Sequence, residues 1–343
     1  MYLGDYISSS GSNSVNITKR KQKGLLIVNH IISVLGDGFF GSHFFRAACM
    51  LRESLFLNSI LLNTEVCYGL TERDIGSLEV VDNRLLRGIL QCFTGTPVCI
   101  MFLELFCIPI RFVIMKRRLN FLHYLLRQDE ESLIYRFLMA QVRDSCRSDW
   151  VLQVKRDLEA LNIVQSFEAI QTMSQKEFKN LVDEQVNHHA FTWLINKKNK
   201  LSSVINVQYK TFEMQPYLKT DDLNIAQKRL LFQMRSRTIP LRAYRKFNQS
   251  EGNTICPFCV SEPETMQHII TCSQLTKGIK WITVNKLRIE DIFSENLQSQ
   301  IKILRQFEIL FKRRNMLIHN FETQIQENNT AVVTSEPNNG VLQ

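Results

Sequence analysis

Four residues late in the chain have the types and spacing of a metal centre: Cys256, Cys259, His268 and Cys272 form a C-x2-C-x8-H-x3-C run. Three thiolates and an imidazole complete a closed tetrahedral shell around zinc, as in structural sites; catalytic sites keep a position open. Pro257 offers a tight turn inside the first pair, and Glu264-Thr265 stand just before His268. Spacing alone leaves a second reading open, three reduced structural thiols and a surface histidine. The chemistry expected of the first reading is binding.

The stretch ahead of this run is basic. Residues 216–247 carry 8 basic and 2 acidic groups, which is 6 of the chain's formal excess of +9. Cations spaced along a groove hold phosphates, and exposed rings stack bases. Arg235, Arg237, Arg242, Tyr244 and Arg245, with Phe232 and Phe247 interleaved, are therefore candidate RNA contacts. The opposing reading places the aromatics in a core and the arginines on a solvated face.

These groups need elements to position them. At 343 residues the chain exceeds one ordinary domain, and its length suggests two or three units. Hydrophobic content of 45%, with only 13 glycines and 7 prolines, favours helices joined by short loops and a mainly α fold. Nine cysteines without a small-domain framework, and no secretory leader, point to a reducing intracellular setting, cytoplasmic and/or nuclear. The most apolar stretch, Pro97 to Met115, is interrupted by Glu104, Pro109 and Arg111, so it reads as buried core rather than a membrane span.

Along the chain, Tyr2-Leu3-Gly4-Asp5-Tyr6-Ile7 reads as a short β strand before a polar turn. Helices are expected from Asn16, as cap, to Leu35, from Ser42 to Leu70, and from Thr71 to Leu90. Others follow from Arg111 to Arg127, Glu130 to Val142, Trp150 to Leu161, Ser174 to Leu194, Asp222 to Met234 and Leu297 to Phe321. Gly36, Gly38 and Gly41 match G-x-G-x-x-G, but a helix precedes them and no βαβ series follows, so they read as a connection. His188-His189 has no ligand-spaced neighbour, and Thr220-Asp221-Asp222 reads as a helix cap.

Taken in order, several segments resemble the C-terminal half of the polyprotein of LINE-type non-LTR retrotransposons. They are Tyr2-Leu3-Gly4-Asp5, Leu51-Arg52-Glu53-Ser54, Leu78-Glu79, Leu85-Leu86-Arg87, Leu103-Glu104-Leu105, Pro109-Ile110-Arg111, Arg117-Arg118-Leu119, Asp149-Trp150, Arg235-Ser236-Arg237 and the CCHC run. The resemblance implies that residues 1–15, with Tyr2, Leu3 and Gly4, end a polymerase palm at the primer-grip strand. It implies a helical thumb at 16–128, a helical connecting region at 129–215, and a basic segment with a zinc knuckle at 216–275. A C-terminal helical segment, 276–327, and a disordered tail, 328–343, complete the expected organisation.

In such a thumb, Lys19, Arg20, Lys21, Lys23, Lys116, Arg117 and Arg118 are candidates for tracking an RNA/DNA primer duplex through phosphate and 2′-OH contacts. The paired aspartates that hold two Mg2+ ions for nucleotidyl transfer belong to a palm expected ahead of Met1, with the fingers. The sequence has no Tyr-x-Asp-Asp or Phe-x-Asp-Asp, and no catalytic residue is assigned. The implied role is a non-catalytic fragment of a reverse transcriptase that grips template RNA and primer duplex. Two alternatives are a stand-alone zinc-dependent nucleic-acid-binding protein derived from such an element, and a non-functional remnant.

Overall fold

The computed structural model describes residues 13–36, 40–67, 69–144, 150–201, 207–244, 254–279 and 288–334. They are mainly helical, and among them there is no strand, only an isolated antiparallel bridge between Ile255 and Pro263. The chain divides into two compact units, residues 1–232 and 233–343. Residues 16–128 and 129–215 thus fall in the same unit.

The first unit contains α1 (Ser14–Gly36), α2 (Phe44–Leu51), α3 (Asn58–Ile60), α4 (Glu72–Leu90), α5 (Val98–Leu105) and α6 (Ile110–Leu126). It continues with α7 (Leu133–Asp144), α8 (Trp150–Ala160), α9 (Phe167–Thr172), α10 (Gln175–Asn199) and α11 (Pro216–Lys219). The division falls inside α12 (Ile225–Arg235). Caps explain several starts: Thr71 Oγ1 accepts the Asp74 N–H while the Asp74 carboxylate accepts the Thr71 N–H, and Ser174 and Glu177 repeat this reciprocal box. Two glycines let α1 and α4 close on each other, since a Cβ at Gly88 would collide with Ile32, and one at Gly24 would lie 3.1 Å from Ile60 and Val81. Helix α6 lies at the centre, packed on α4, α5's neighbour α10, α8 and α9, and its Leu119, Leu122 and Leu126 share a core with Val154, Phe178 and Val186.

Buried ion pairs join these helices. Arg52, in the π-helical stretch Arg52–Leu57 between α2 and α3, donates to both Asp82 oxygens at 2.7 and 2.5 Å and to the Ile108 carbonyl at 2.9 Å. Burial opposes the Arg52 charge, but the Asp82 carboxylate together with Cys107 and Cys49 more than offsets it, and the guanidinium's pKa rises above its ordinary value. Arg118 on α6 meets Asp157 on α8 at 2.5 Å. Burial raises the Asp157 pKa, and Arg118 counters that rise only in part.

Several expectations need correction. Asn16 is not a cap; it lies inside α1, buried, and accepts from Arg20 Nε at 3.1 Å. The helix expected from Ser42 to Leu70 ends at Ile60, because the chain turns there and Asn63 takes a left-handed φ of 58°. Helix α9, capped by Ser166, was hidden by its brevity. Residues 328–334, expected to be disordered, are helical as the end of α15 (Leu297–Thr334). The expected β strand and the primer-grip residues Tyr2, Leu3 and Gly4 lie outside the described residues. Among the described residues no single helix is long and apolar enough to cross a membrane; α5 and α6 pass only as a pair bent by 57°.

Replacing Asp82 by Ala strands the buried Arg52 charge and is expected to cost about 3–5 kcal/mol, read by chemical denaturation. The double variant Arg52→Met/Asp82→Leu should recover most of that loss; equal loss in both would show that the pair is not the source.

Candidate metal centre

In the second unit the ligand run is built from a turn and a short helix. Val260 N–H donates to the Cys256 carbonyl at 3.0 Å, closing the turn that brings Cys256 and Cys259 together. Val260 then adopts φ 54°, so the chain doubles back. Cys256 N–H reaches the Glu262 carbonyl, and Glu264 N–H reaches the Thr254 carbonyl, each at 2.8 Å, flanking the Ile255–Pro263 bridge.

The other pair comes from α13 (Met266–Thr271), whose N-cap Thr265 accepts the His268 N–H at 3.0 Å. His268 and Cys272 are four residues apart across this helix, so one turn aligns them, and the Cys272 N–H closes on the His268 carbonyl at 2.7 Å. Helix α14 (Ser273–Thr276) follows at once. All four ligand atoms lie within 4.8 Å of one another, and Cys259 Sγ is 3.3 Å from His268 Nε2. Bonds of about 2.3 Å to sulfur and 2.0–2.1 Å to nitrogen place ligand atoms of a tetrahedral zinc centre about 3.5–3.8 Å apart. The cluster is therefore able to hold a metal ion. Among the described residues it is the only such group of His, Cys, Asp and Glu side chains.

Two neighbours tune the donors. The exposed Glu262 carboxylate accepts from His268 Nδ1–H at 2.9 Å, which leaves the Nε2 lone pair directed at the cluster. Ser261 Oγ–H donates to Cys259 Sγ at 3.1 Å, and this bond is the main reason the Cys259 thiol is pulled down to about 6. Burial pushes Cys256 up to about 11, so a cation must displace its proton. Neither Glu262 nor Ser261 was singled out from the sequence, because their roles depend on a fold-back that spacing does not reveal.

The cluster is seated by Glu264, which is fully buried. Its carboxylate accepts two bonds from the Arg314 fork, both at 2.9 Å, and the Arg242 N–H at 2.8 Å. Arg314 belongs to α15, so the loop is tied to that helix. Leu275, Ile269 and Ile270 are buried in the same unit.

Many candidate RNA contacts are occupied by structural work. Arg235 is 1% exposed and donates to the Ile292 carbonyl at 2.8 Å; Arg20 donates to the Ile60 carbonyl at 2.7 Å; Arg118 is the buried partner of Asp157. These three are corrected from surface contacts to interior anchors: a guanidinium's five donors suit it to close exposed carbonyls inside a fold. Lys116 pairs with Asp183 at 2.6 Å, and Arg117 donates to the Leu61 carbonyl and to Asn58. Arg237 lies over the Phe293 ring, Arg242 points at the Ile255 carbonyl at a long 3.4 Å, and Tyr244 Oη accepts the Met266 N–H. Lys19 and Lys23 remain exposed on α1 and Lys21 is half-buried. Arg245 lies outside the described residues.

The sequence reading also missed a basic stripe. Lys302, Arg305, Ile309, Lys312, Met316 and His319 are all exposed on α15 at alternating intervals of three and four residues, hence on one face. Elsewhere, His189 contacts Asn162, and the Thr220 hydroxyl accepts the Asp222 N–H, a local turn. Comparison with protein-family models, curated proteins and solved structures finds no match.

Glu262→Gln is expected to weaken metal affinity about tenfold, read by competition with a chromophoric chelator; unchanged affinity would remove Glu262 from the site. Val260→Gly relieves a β-branched residue from the left-handed region and should stabilise the metal-free second unit by about 1 kcal/mol in denaturant titrations. A loss instead would mean that the Val260 side chain contributes packing.

Proposed function

We propose that this chain is the non-catalytic C-terminal part of a LINE-type reverse transcriptase. In this reading residues 16–128 act as the thumb, and Cys256, Cys259, His268 and Cys272 hold a structural zinc that shapes an RNA-binding knuckle. The observation that carries it is the convergence of the four donors within 4.8 Å, in a chain whose ordered motifs resemble that family. Three sulfurs and one imidazole favour zinc over hard cations, and a site with four protein donors leaves no open position for substrate.

Bound zinc would supply cross-linking, not chemistry. This chain's residues do the rest: Glu262 orients the imidazole, and Glu264 fixes the loop against α15. The helix presents Lys302, Arg305 and Lys312 to solvent, with Lys312 partly countered by Glu308 at 2.7 Å. Such a stripe can track a phosphate backbone without reading sequence. Lys19 and Lys23 offer a smaller patch of the same kind in the first unit.

Fluorescence anisotropy of the full chain with single-stranded RNA and with RNA/DNA duplex, at two or more salt concentrations, tests the proposal. Zinc removal should weaken RNA binding at least about tenfold, and Lys302→Ala/Arg305→Ala should flatten the salt slope by about 1–2 units. RNA affinity indifferent to both zinc and the double substitution would overturn the reading.

A further inference from the structure

Two other cysteines are placed for chemistry that neither zinc nor RNA binding uses. Cys49, near the end of α2, and Cys107, in the turn between α5 and α6, hold their Sγ atoms 3.8 Å apart. Cys107 is buried, whereas Cys49 is half-buried. A disulfide has its sulfurs about 2.0 Å apart, so less than about 2 Å of sulfur movement separates this pair from a bond. The turn itself is held still, because Arg52 binds the Ile108 carbonyl and Asp82 together.

We propose that Cys49 and Cys107 form a reversible modification site, at which a peroxide closes an intramolecular disulfide. The sulfur of Cys49, the more exposed residue of the pair, attacks one oxygen of hydrogen peroxide; the O–O bond breaks and the leaving hydroxide takes the Cys49 thiol proton away as one water, giving a sulfenic acid. The Cys107 sulfur then attacks the Cys49 sulfur. The S–O bond breaks, and the departing hydroxide takes the remaining thiol proton and leaves as the second water. Two thiols lose two electrons in all, and the peroxide accepts them.

The electrostatics favour the second step. The hydrogen bond from Cys49 and the Arg52 charge hold the Cys107 thiol below its ordinary range despite burial, while the same bond and burial raise Cys49. Thiolate character thus resides on the resolving sulfur. The cross-link would span 58 positions of sequence and staple α2 to the α5–α6 turn beside the Arg52–Asp82 pair. A ring of that size restricts the unfolded chain strongly.

The test uses the zinc-loaded full chain, treated with a small excess of hydrogen peroxide, alkylated, and digested with trypsin without reductant. The expected product joins residues 47–52 to residues 88–111 with the loss of two hydrogens, and dithiothreitol reverses it. Fragment ions must place the bond at Cys107, since Cys92 and Cys99 share that peptide. Cys107→Ser should leave a dimedone-reactive sulfenic acid at Cys49, and Cys49→Ser should abolish the product. The oxidised chain should melt at least about 5 °C higher. Recovery of both cysteines alkylated after a dose that oxidises other thiols, or a bond from Cys49 to Cys92 or Cys99, would overturn the proposal. Zinc content, followed in the same samples, shows whether the metal cluster is touched and keeps this test separate from the RNA-binding one.

Discussion

The fully buried Glu264 carboxylate is the constraint on which the donor cluster depends. Two charges taken out of water are costly unless their geometry is excellent and their remaining hydrogen-bonding capacity is filled. Here the Arg314 fork and the Arg242 N–H fill it. The consequence is positional, because Thr265, next in sequence, caps α13 and the ligand His268 stands at the third residue of that helix. An uncharged residue at 264 would leave Arg314 stranded beneath the loop, so the donor cluster and α15 act as one structure.

The first unit uses the same device repeatedly. Arg52 with Asp82, Arg111 with Glu79, Arg118 with Asp157, and Glu104 with the Tyr209 hydroxyl each tie separate elements together. Many of the residues that carry the family resemblance are members of these ties: Arg52, Glu79, Glu104, Arg111 and Arg118. A charge whose partner is fixed inside the fold tolerates few alternatives. Six cations among the described residues, Arg20, Arg52, Arg118, Lys228, Arg235 and Arg314, are therefore held inside the fold. Lys19 and Lys23 on α1 and Lys302, Arg305 and Lys312 on α15 are among the cations left exposed.

The arrangement is one of rigid display. Glu264 and Arg314 tie the turn that carries the donors to α15, whose outer face repeats cations among Ile309 and Met316. In the proposed reading, contacts from such a face to a phosphate backbone would supply affinity with little sequence preference. Zinc at the centre would restrain the loop so that less ordering is required on binding. The Cys49–Cys107 pair lies in the first unit, and the cluster of Cys256, Cys259, His268 and Cys272 lies in the second.

Local pattern determined what depends on local physics. Apolar recurrence and caps such as Thr71 and Ser174 placed α4 and α10, because a capping box and a 3.6-residue period act over a few residues. The donor set was legible as well, since cysteine and histidine at turn and helix spacing have few other uses. Tertiary structure alone decided which charges face water: Arg20, Arg118 and Arg235 are identical in sequence terms to surface cations, and their partners Ile60, Asp157 and Ile292 lie 39 to 57 positions away. Glu262 was silent, and Glu264 was legible only as a neighbour of His268, for the same reason: their roles require a fold-back and a distant helix. Composition counts charges, whereas only the packed chain assigns each one a neighbour.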